Sequence, residues 1–331
     1  MIRIAHVGHG YWGKNLARNF HELGNLAVVS DPVAAVAEAA AAAYGVGTAS
    51  FEDVVADPGI DAVSIASPAG LHYRHAKAAL EAGKHVYVEK PLALAVAEAE
   101  ELRDLAAKRG LTLMVGHLLQ YHPVYVRLQE LVKAGELGRL HHVYSNRLSL
   151  GKFRTEENVL WSFAPHDISM ILGLIDGEPE VVTAQGNVAY TPGVADLVMA
   201  QMRFAGGTTA HVFVSWMHPF KEQRLVVIGE NGMAVFEDSQ PVWEDKLVIY
   251  RHKIDRSGPV PTPAKADAER VVVEKAEPLK EECRHFIRCI ENHTVPRTDG
   301  REGLAVLRVL DAAEKALAEN LKGATRTGEA A

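Results

Sequence analysis

Cysteine is nearly absent from this 331-residue chain, with Cys283 and Cys289 the only two. Two cannot build a disulfide framework, and their spacing fits no zinc pattern. No run of five or six Lys/Arg occurs, and 42 acidic against 35 basic residues leave a net charge of -7. That balance argues against a phosphate-tracking surface, so nucleic acid is not an expected partner. No apolar stretch approaches the ~18 residues of a membrane span. The chain opens on the strand-like Ile2-Arg3-Ile4-Ala5-His6-Val7, so no signal peptide is expected and the expected location is the cytoplasm. What is plentiful is apolar surface. Apolar residues make up 48% and charged residues 23%, the proportions of a globular chain with a sizeable core. The length suits two domains.

Residues 1–120 alternate short apolar runs with helical patterns, the cadence of βαβ units. Strands are predicted at 2–7, 26–30, 62–66, 85–88 and 111–115, and helices at 12–23, 33–44, 71–82 and 95–108. The alanine-rich stretch 34–43 reads as an ordinary crossover helix, since alanine is the best helix former. Such alternation implies a parallel sheet with helices on both faces.

After a helix near 125–134 the period changes to two. Val198, Ala200, Met202 and Phe204 alternate on one arm, and Ala210, Val212, Val214 and Trp216 on the next, with Gly206-Gly207 as the turn. A second hairpin over 225–236 turns on Asn231-Gly232. One face of this antiparallel sheet is therefore buried. Residues 256–269 read as a loop, and helices close the chain near 278–293 and 301–321. The predicted division is 1–120 and 121–331, with no internal repeat.

The strongest chemical signal is Gly8-His9-Gly10-Tyr11-Trp12-Gly13, directly after a strand and opening a helix, with Asp31 18 residues beyond Gly13 at the end of the second strand. That is the setting the dinucleotide fingerprint requires. Gly8 permits the tight turn, Gly10 lets the backbone approach a pyrophosphate, and Gly13 lets helix pack on strand. The helix N-terminus supplies amide donors. A carboxylate at Asp31 accepts from ribose hydroxyls and repels a 2′-phosphate, and no Arg or Lys lies between Ser30 and Tyr44 to receive one. NAD is therefore the expected cofactor. Tyr11 and Trp12 shape the cofactor pocket or serve helix packing, and both readings stay open. His72 and His75, or His141 and His142, have no third ligand placed beside them, so no metal is expected.

A further segment, Gly83-Lys84-His85-Val86-Tyr87-Val88-Glu89-Lys90-Pro91, puts a lysine at the C-terminal end of a parallel strand, before a proline that is a candidate for a cis bond. By residue type alone Lys90 is a solvated strand-end lysine. Together with the glycine fingerprint and the antiparallel second half, however, the chain resembles the Gfo/Idh/MocA oxidoreductases, and Ser67-Pro68 and His72 match the same first domain. The resemblance implies an α/β chain: an N-terminal Rossmann doubly wound parallel sheet, then an α+β domain with a mostly antiparallel open sheet. It implies that Ser67, Pro68, His72, Glu89 and Lys90 belong to the cofactor site, with Glu89 near the nicotinamide ribose and Lys90 on the substrate hydroxyl.

In the second half, Leu160-Trp161-Ser162-Phe163-Ala164-Pro165-His166-Asp167 matches a family segment in which a histidine at the start of a long helix faces the nicotinamide. His166 takes that place, while Ser162 stands where many members carry an aspartate. Lys90 and His166 are the expected catalytic pair. The local context of residues 148–152 and 161–169 looks most like members acting on UDP-N-acetylglucosamine-type sugars and their uronates. Lys152 and Arg154 are candidate cations for a diphosphate or carboxylate, or simply an exposed basic loop. Lys90, Lys152, Arg154, Ser162 and His166 thus form the expected substrate set. The alternatives are an inositol or free-sugar dehydrogenase, or a non-catalytic NAD-binding sensor. A homodimer or homotetramer is expected through the sheet's second face, where Leu197, Met199 and Phe213 lie.

Overall fold

The computed structural model describes residues 1–151 and 153–328. Two compact units emerge: residues 1–122 with 276–308, and residues 123–275 with 309–331. The predicted boundary at 120 lies beside the first crossing of the chain. Assigning everything after it to one domain is corrected: the chain returns to the first unit at 276.

In the first unit, six parallel strands stand in the order β3-β2-β1-β4-β5-β6. They are β1 (Ile4–Val7), β2 (Leu26–Ser30), β3 (Gly47–Thr48), β4 (Ala62–Ile65), β5 (His85–Glu89) and β6 (Leu113–Gly116). The crossovers are α1 (Gly13–Glu22), α2 (Ala34–Tyr44), α3 (Phe51–Ala56), α4 (His72–Glu81) and α5 (Val96–Arg109). β3 and α3 are too short for the sequence pattern to reveal. The alanine run is helical as expected and stops at Gly45, whose φ of 66° a side chain would resist. The strand order reverses between β1 and β4, paired from Ile4↔Ala62 to Val7↔Ile65. In open sheets of this kind, ligands bind outside the strand ends at that point.

Beyond β6 the sheet would present an unpaired edge. Thr298 covers it: the Val115 amide donates to the Thr298 carbonyl at 2.8 Å, and the Thr298 hydroxyl donates to the Val115 carbonyl at 2.7 Å. That pairing draws the segment between the last two helices onto the first unit. The α8 helix (Pro278–Asn292) also belongs here, and its Leu279, Cys283, Phe286 and Ile290 join the core of Leu16, Phe20 and Tyr87. The last helix, α9 (Gly300–Gly328), starts in the first unit and runs into the second.

The second unit holds α6 (Pro123–Lys133) and α7 (Val159–Leu172) with an eight-stranded sheet. Its strands are β7 (Leu140–Leu150), β8 (Val181–Asn187), β9 (Leu197–Arg203), β10 (Thr209–Ser215), β11 (Met217–Gly229), β12 (Gly232–Glu237), β13 (Leu247–Tyr250) and β16 (Ala268–Arg270). All neighbours are antiparallel except β7 and β10, which run parallel. The β9–β10 hairpin turns on Gly206 and Gly207, at φ 76° and 87°. Val198, Ala200, Met202, Ala210, Val212, Val214 and Trp216 are all buried, as their alternation requires.

The loop expected over 256–269 needs correction. Thr262–Ala264 (β15) pairs with Lys253–Asp255 (β14), and β16 adds to β13 at the sheet edge. These three-residue strands are exposed, and exposed strands this short leave no alternating apolar signature.

Candidate active site

The glycine loop sits at the C-terminal end of β1, and contacts force glycine at positions 8 and 13. Gly8 has φ 92°, and a Cβ there would stand 2.7 Å from the backbone of Ala66 and Ser67. A Cβ on Gly13 would fall 1.9 Å from the Gly8 carbonyl oxygen. Gly10 differs: beyond its own chain neighbours, no described atom lies within 4 Å of where its Cβ would be. Its bare backbone fronts open space, the cradle a pyrophosphate needs above a helix N-terminus. The residues present thus fit a dinucleotide.

Asp31 organises the loop's other side. Its Oδ2 accepts the His9 amide at 2.8 Å and its Oδ1 the Val33 amide at 2.9 Å. His6 braces the loop from below, with Nε2 3.0 Å from the Gly8 carbonyl and Nδ1 3.3 Å from the Ser64 hydroxyl. Burial, with His9 adding to it, pushes this imidazole down to about 3. Tyr11 points to solvent, 88% exposed, with the Lys14 ammonium 5.3 Å from its ring.

Trp12 reaches β5: its Nε1 donates to Glu89 Oε1 at 2.6 Å. The Glu89 carboxyl is raised by burial, against the lowering pull of Trp12, Lys90 and His117. Gly116 allows this packing, because a Cβ there would lie 2.9 Å from the Tyr87 hydroxyl and 3.1 Å from Glu89 Oε1. Lys90 is half-buried, and the Lys90–Pro91 peptide is cis. His72 clasps this turn: Nδ1 lies 2.7 Å from the Pro91 carbonyl and Nε2 2.8 Å from the Ser67 carbonyl. Ser67, Pro68, His72, Glu89 and Lys90 are thus gathered at one end of the parallel sheet.

In the second unit, Asn158 caps α7 by accepting the Leu160 and Trp161 amides at 3.1 and 3.3 Å. The helix therefore begins seven residues before His166, which corrects its expected place at a helix start. Pro165 lies inside α7. Ser162 is buried and His166 half-buried, four residues apart and so on one face of the helix. Beside them Asp167, 1% exposed, accepts the Ser145 hydroxyl at 2.5 Å and Arg147 Nε at 2.6 Å, which locks α7 onto β7. Lys152 lies outside the described residues. Arg154 is 46% exposed and paired with Glu157 at 2.6 Å, which favours the basic-loop reading over a substrate cation. Among the described residues, no three His, Cys, Asp or Glu come together in a way that could hold a metal ion. No described helix is long and apolar enough to cross a membrane.

Comparison with known proteins decides the class. The model of the oxidoreductase family with NAD-binding Rossmann fold matches residues 2–117, and that of the GFO/IDH/MocA C-terminal domain matches 125–235. The chain belongs to the Gfo/Idh/MocA oxidoreductases. This oxidoreductase is 30% identical over 308 residues to UDP-N-acetylglucosamine 3-dehydrogenase of Acidithiobacillus ferrooxidans, covering 92% of this chain and 94% of that one. A solved structure of that enzyme matches with TM-score 0.85 at 28% identity, over 97% and 98% of the two chains. The scyllo-inositol 2-dehydrogenase (NAD(+)) of Bacillus subtilis is 27% identical over 248 residues, covering 70% and 72%.

Sequence reasoning missed two residues that brace the candidate residues, one within each unit. His6 carries a legible signal, a histidine two residues before the first glycine of the fingerprint. Asp167 follows His166 directly and has no local signal, because its partners Ser145 and Arg147 are 22 and 20 residues away.

Proposed function

We propose that this protein is an NAD-dependent dehydrogenase, or in reverse a reductase, acting at a secondary alcohol of a sugar. The substrate class is a UDP-linked amino sugar or its uronate, with the 3-position favoured. The observation that carries this reading is the similarity to UDP-N-acetylglucosamine 3-dehydrogenase over 92% of the chain. When bound, the cofactor supplies hydride acceptance and donation at its nicotinamide.

The chain's own residues would do the rest. Gly8, Gly10 and Gly13 with the start of α1 would hold the pyrophosphate, with Tyr11 and Trp12 beside them, and Asp31 the adenosine ribose. Ser67, Pro68, His72 and Glu89 would seat the nicotinamide end. Lys90 would position and polarise the hydroxyl being oxidised, and His166, with Ser162 on the same helix face, would take its proton. An imidazole titrates near neutrality, whereas an ammonium must first be strongly desolvated. On the sheet's second face Met199 is 39% exposed and paired with Phe213, beside Leu197, which supports a homodimer or homotetramer.

A panel of nucleotide sugars and free sugars, read by NADH absorbance, tests the substrate. A UDP-amino sugar or its uronate should give the highest kcat/KM. Faster turnover of free myo-inositol or glucose overturns the assignment. That second reading has one observation in its favour, the solvent-facing, Glu157-paired Arg154.

A further inference from the structure

Behind Glu89 lies a carboxyl with no part in the proposed chemistry. Glu282, on α8, is 0% exposed, and among the described residues only the Tyr87 hydroxyl comes near enough to act on it as a donor, without well-aligned hydrogen-bond geometry. An ionised carboxylate buried with one poorly aligned donor is strongly disfavoured, which favours the protonated form. The surroundings reinforce this. From β5 it faces the Tyr87 hydroxyl, 3.4 Å from Glu89 Oε1, and the Glu89 carboxyl itself. From α9 it faces Glu302, which is already paired to His117 Nδ1 at 2.6 Å. Tyr121 and the neighbouring Cys283 thiol also feel its charge, and Lys90 and His117 act on Glu89. Burial first, then the charge of Glu89, pushes the Glu282 carboxyl well above the usual carboxylate range. Among the described residues, the charged groups that act on it are the carboxyls of Glu89 and Glu302.

We propose that Glu282 is a positioning residue that stores a proton behind Glu89, and that it releases part of that proton to solvent when the oxidised cofactor binds, but not when the reduced cofactor does. The inference rests on the reading that Glu89 lies near the nicotinamide. Oxidised nicotinamide carries a positive charge and the reduced ring does not. A positive charge near Glu89 offsets that carboxylate's field and so lowers the cost of ionising Glu282. The O–H bond of Glu282 breaks, and its proton passes to the buffer. Binding and proton release are reciprocal, so NAD+ affinity rises with pH over the range in which Glu282 titrates. The site then discriminates between the two cofactor states.

Titration calorimetry of the full chain with NAD+ and with NADH, each in two buffers of different ionisation enthalpy at pH 8, counts the protons released. The expected result is a fraction of a proton more for NAD+ than for NADH, and loss of that excess in Glu282→Gln, which is neutral at every pH. Equal counts for the two cofactors in the wild type overturn the proposal without reference to any variant. An excess that persists in Glu282→Gln belongs to Lys90 or His117 and overturns it too. Should Glu282→Gln fail to fold, Tyr87→Phe, which removes the hydroxyl beside both carboxyls, must change the excess or the proposal fails. Glu89→Gln separates the underlying reading. If it binds both cofactors as the wild type does, Glu89 is not near the nicotinamide. If it alters binding while the excess is insensitive to Glu282, only the inference on Glu282 falls.

Discussion

The indole N–H of Trp12 donates to Glu89 Oε1 over 2.6 Å, tying the glycine loop to the end of β5 across 77 positions of sequence. Glu89 is buried, so the indole is a specific donor to a carboxyl that water cannot reach freely. Trp12→Phe keeps a ring and removes the donor. A buried hydrogen bond of this kind is worth ~1–3 kcal/mol, and the part of it that holds the loop in its cofactor-binding form is lost, so NAD affinity should fall, by up to about tenfold for each ~1.4 kcal/mol transmitted. Calorimetry checks this, and unchanged affinity would leave Trp12 a packing residue only.

NAD(H) should bind far more tightly than NADP(H), because Asp31 would meet the 2′-phosphate. Calorimetry with both cofactors decides, and comparable affinities contradict the assignment. Asp31→Ser should narrow the gap. It should also weaken NAD itself, since Asp31 accepts the His9 and Val33 amides that shape the loop.

Acid should destabilise the fold in part through His6. The native imidazole is held neutral, its pKa pushed down to about 3 by burial. In the unfolded chain it takes up a proton near the ordinary value of about 6.5. The unfolded state therefore binds more protons between those values. The His6 contribution is intact above pH ~6.5 and declines as pH falls towards 3, by at most ~1.4 kcal/mol per pH unit. His6→Asn should show a shallower loss of stability between pH 7 and 5 in urea unfolding. An identical slope would mean that His6 does not carry it.

Lys90→Ala and His166→Ala should each lose roughly a hundredfold or more in turnover, the usual scale for general acid–base groups, while both still bind NAD. With His166 as the base, its removal also abolishes the neutral-range limb of the pH–rate profile. Near-normal turnover and an unchanged profile in His166→Ala would assign the base to Lys90 instead.

What the amino-acid order determined by itself is whatever repeats or clusters locally. The βαβ cadence, the alternating hairpin from β9 to β10, the Gly8-to-Gly13 turn and the Glu89-Lys90-Pro91 strand end were all legible. Helix and strand periods, and the φ > 0 that Gly8 needs, are set by backbone geometry over a few residues. Only the tertiary structure decided which polar groups meet. Trp12 with Glu89, His6 with Ser64 and Asp167 with Arg147 are pairings of distant positions. The return of α8 to the first unit is of the same kind, with Thr298 pairing to Val115 at the edge of the parallel sheet. Such pairs follow from which buried donor finds which acceptor once apolar faces have closed, and no spacing along the chain encodes that. The burial of Glu282 behind Glu89 is the clearest case, because nothing in the residues around it marks a carboxyl left without water.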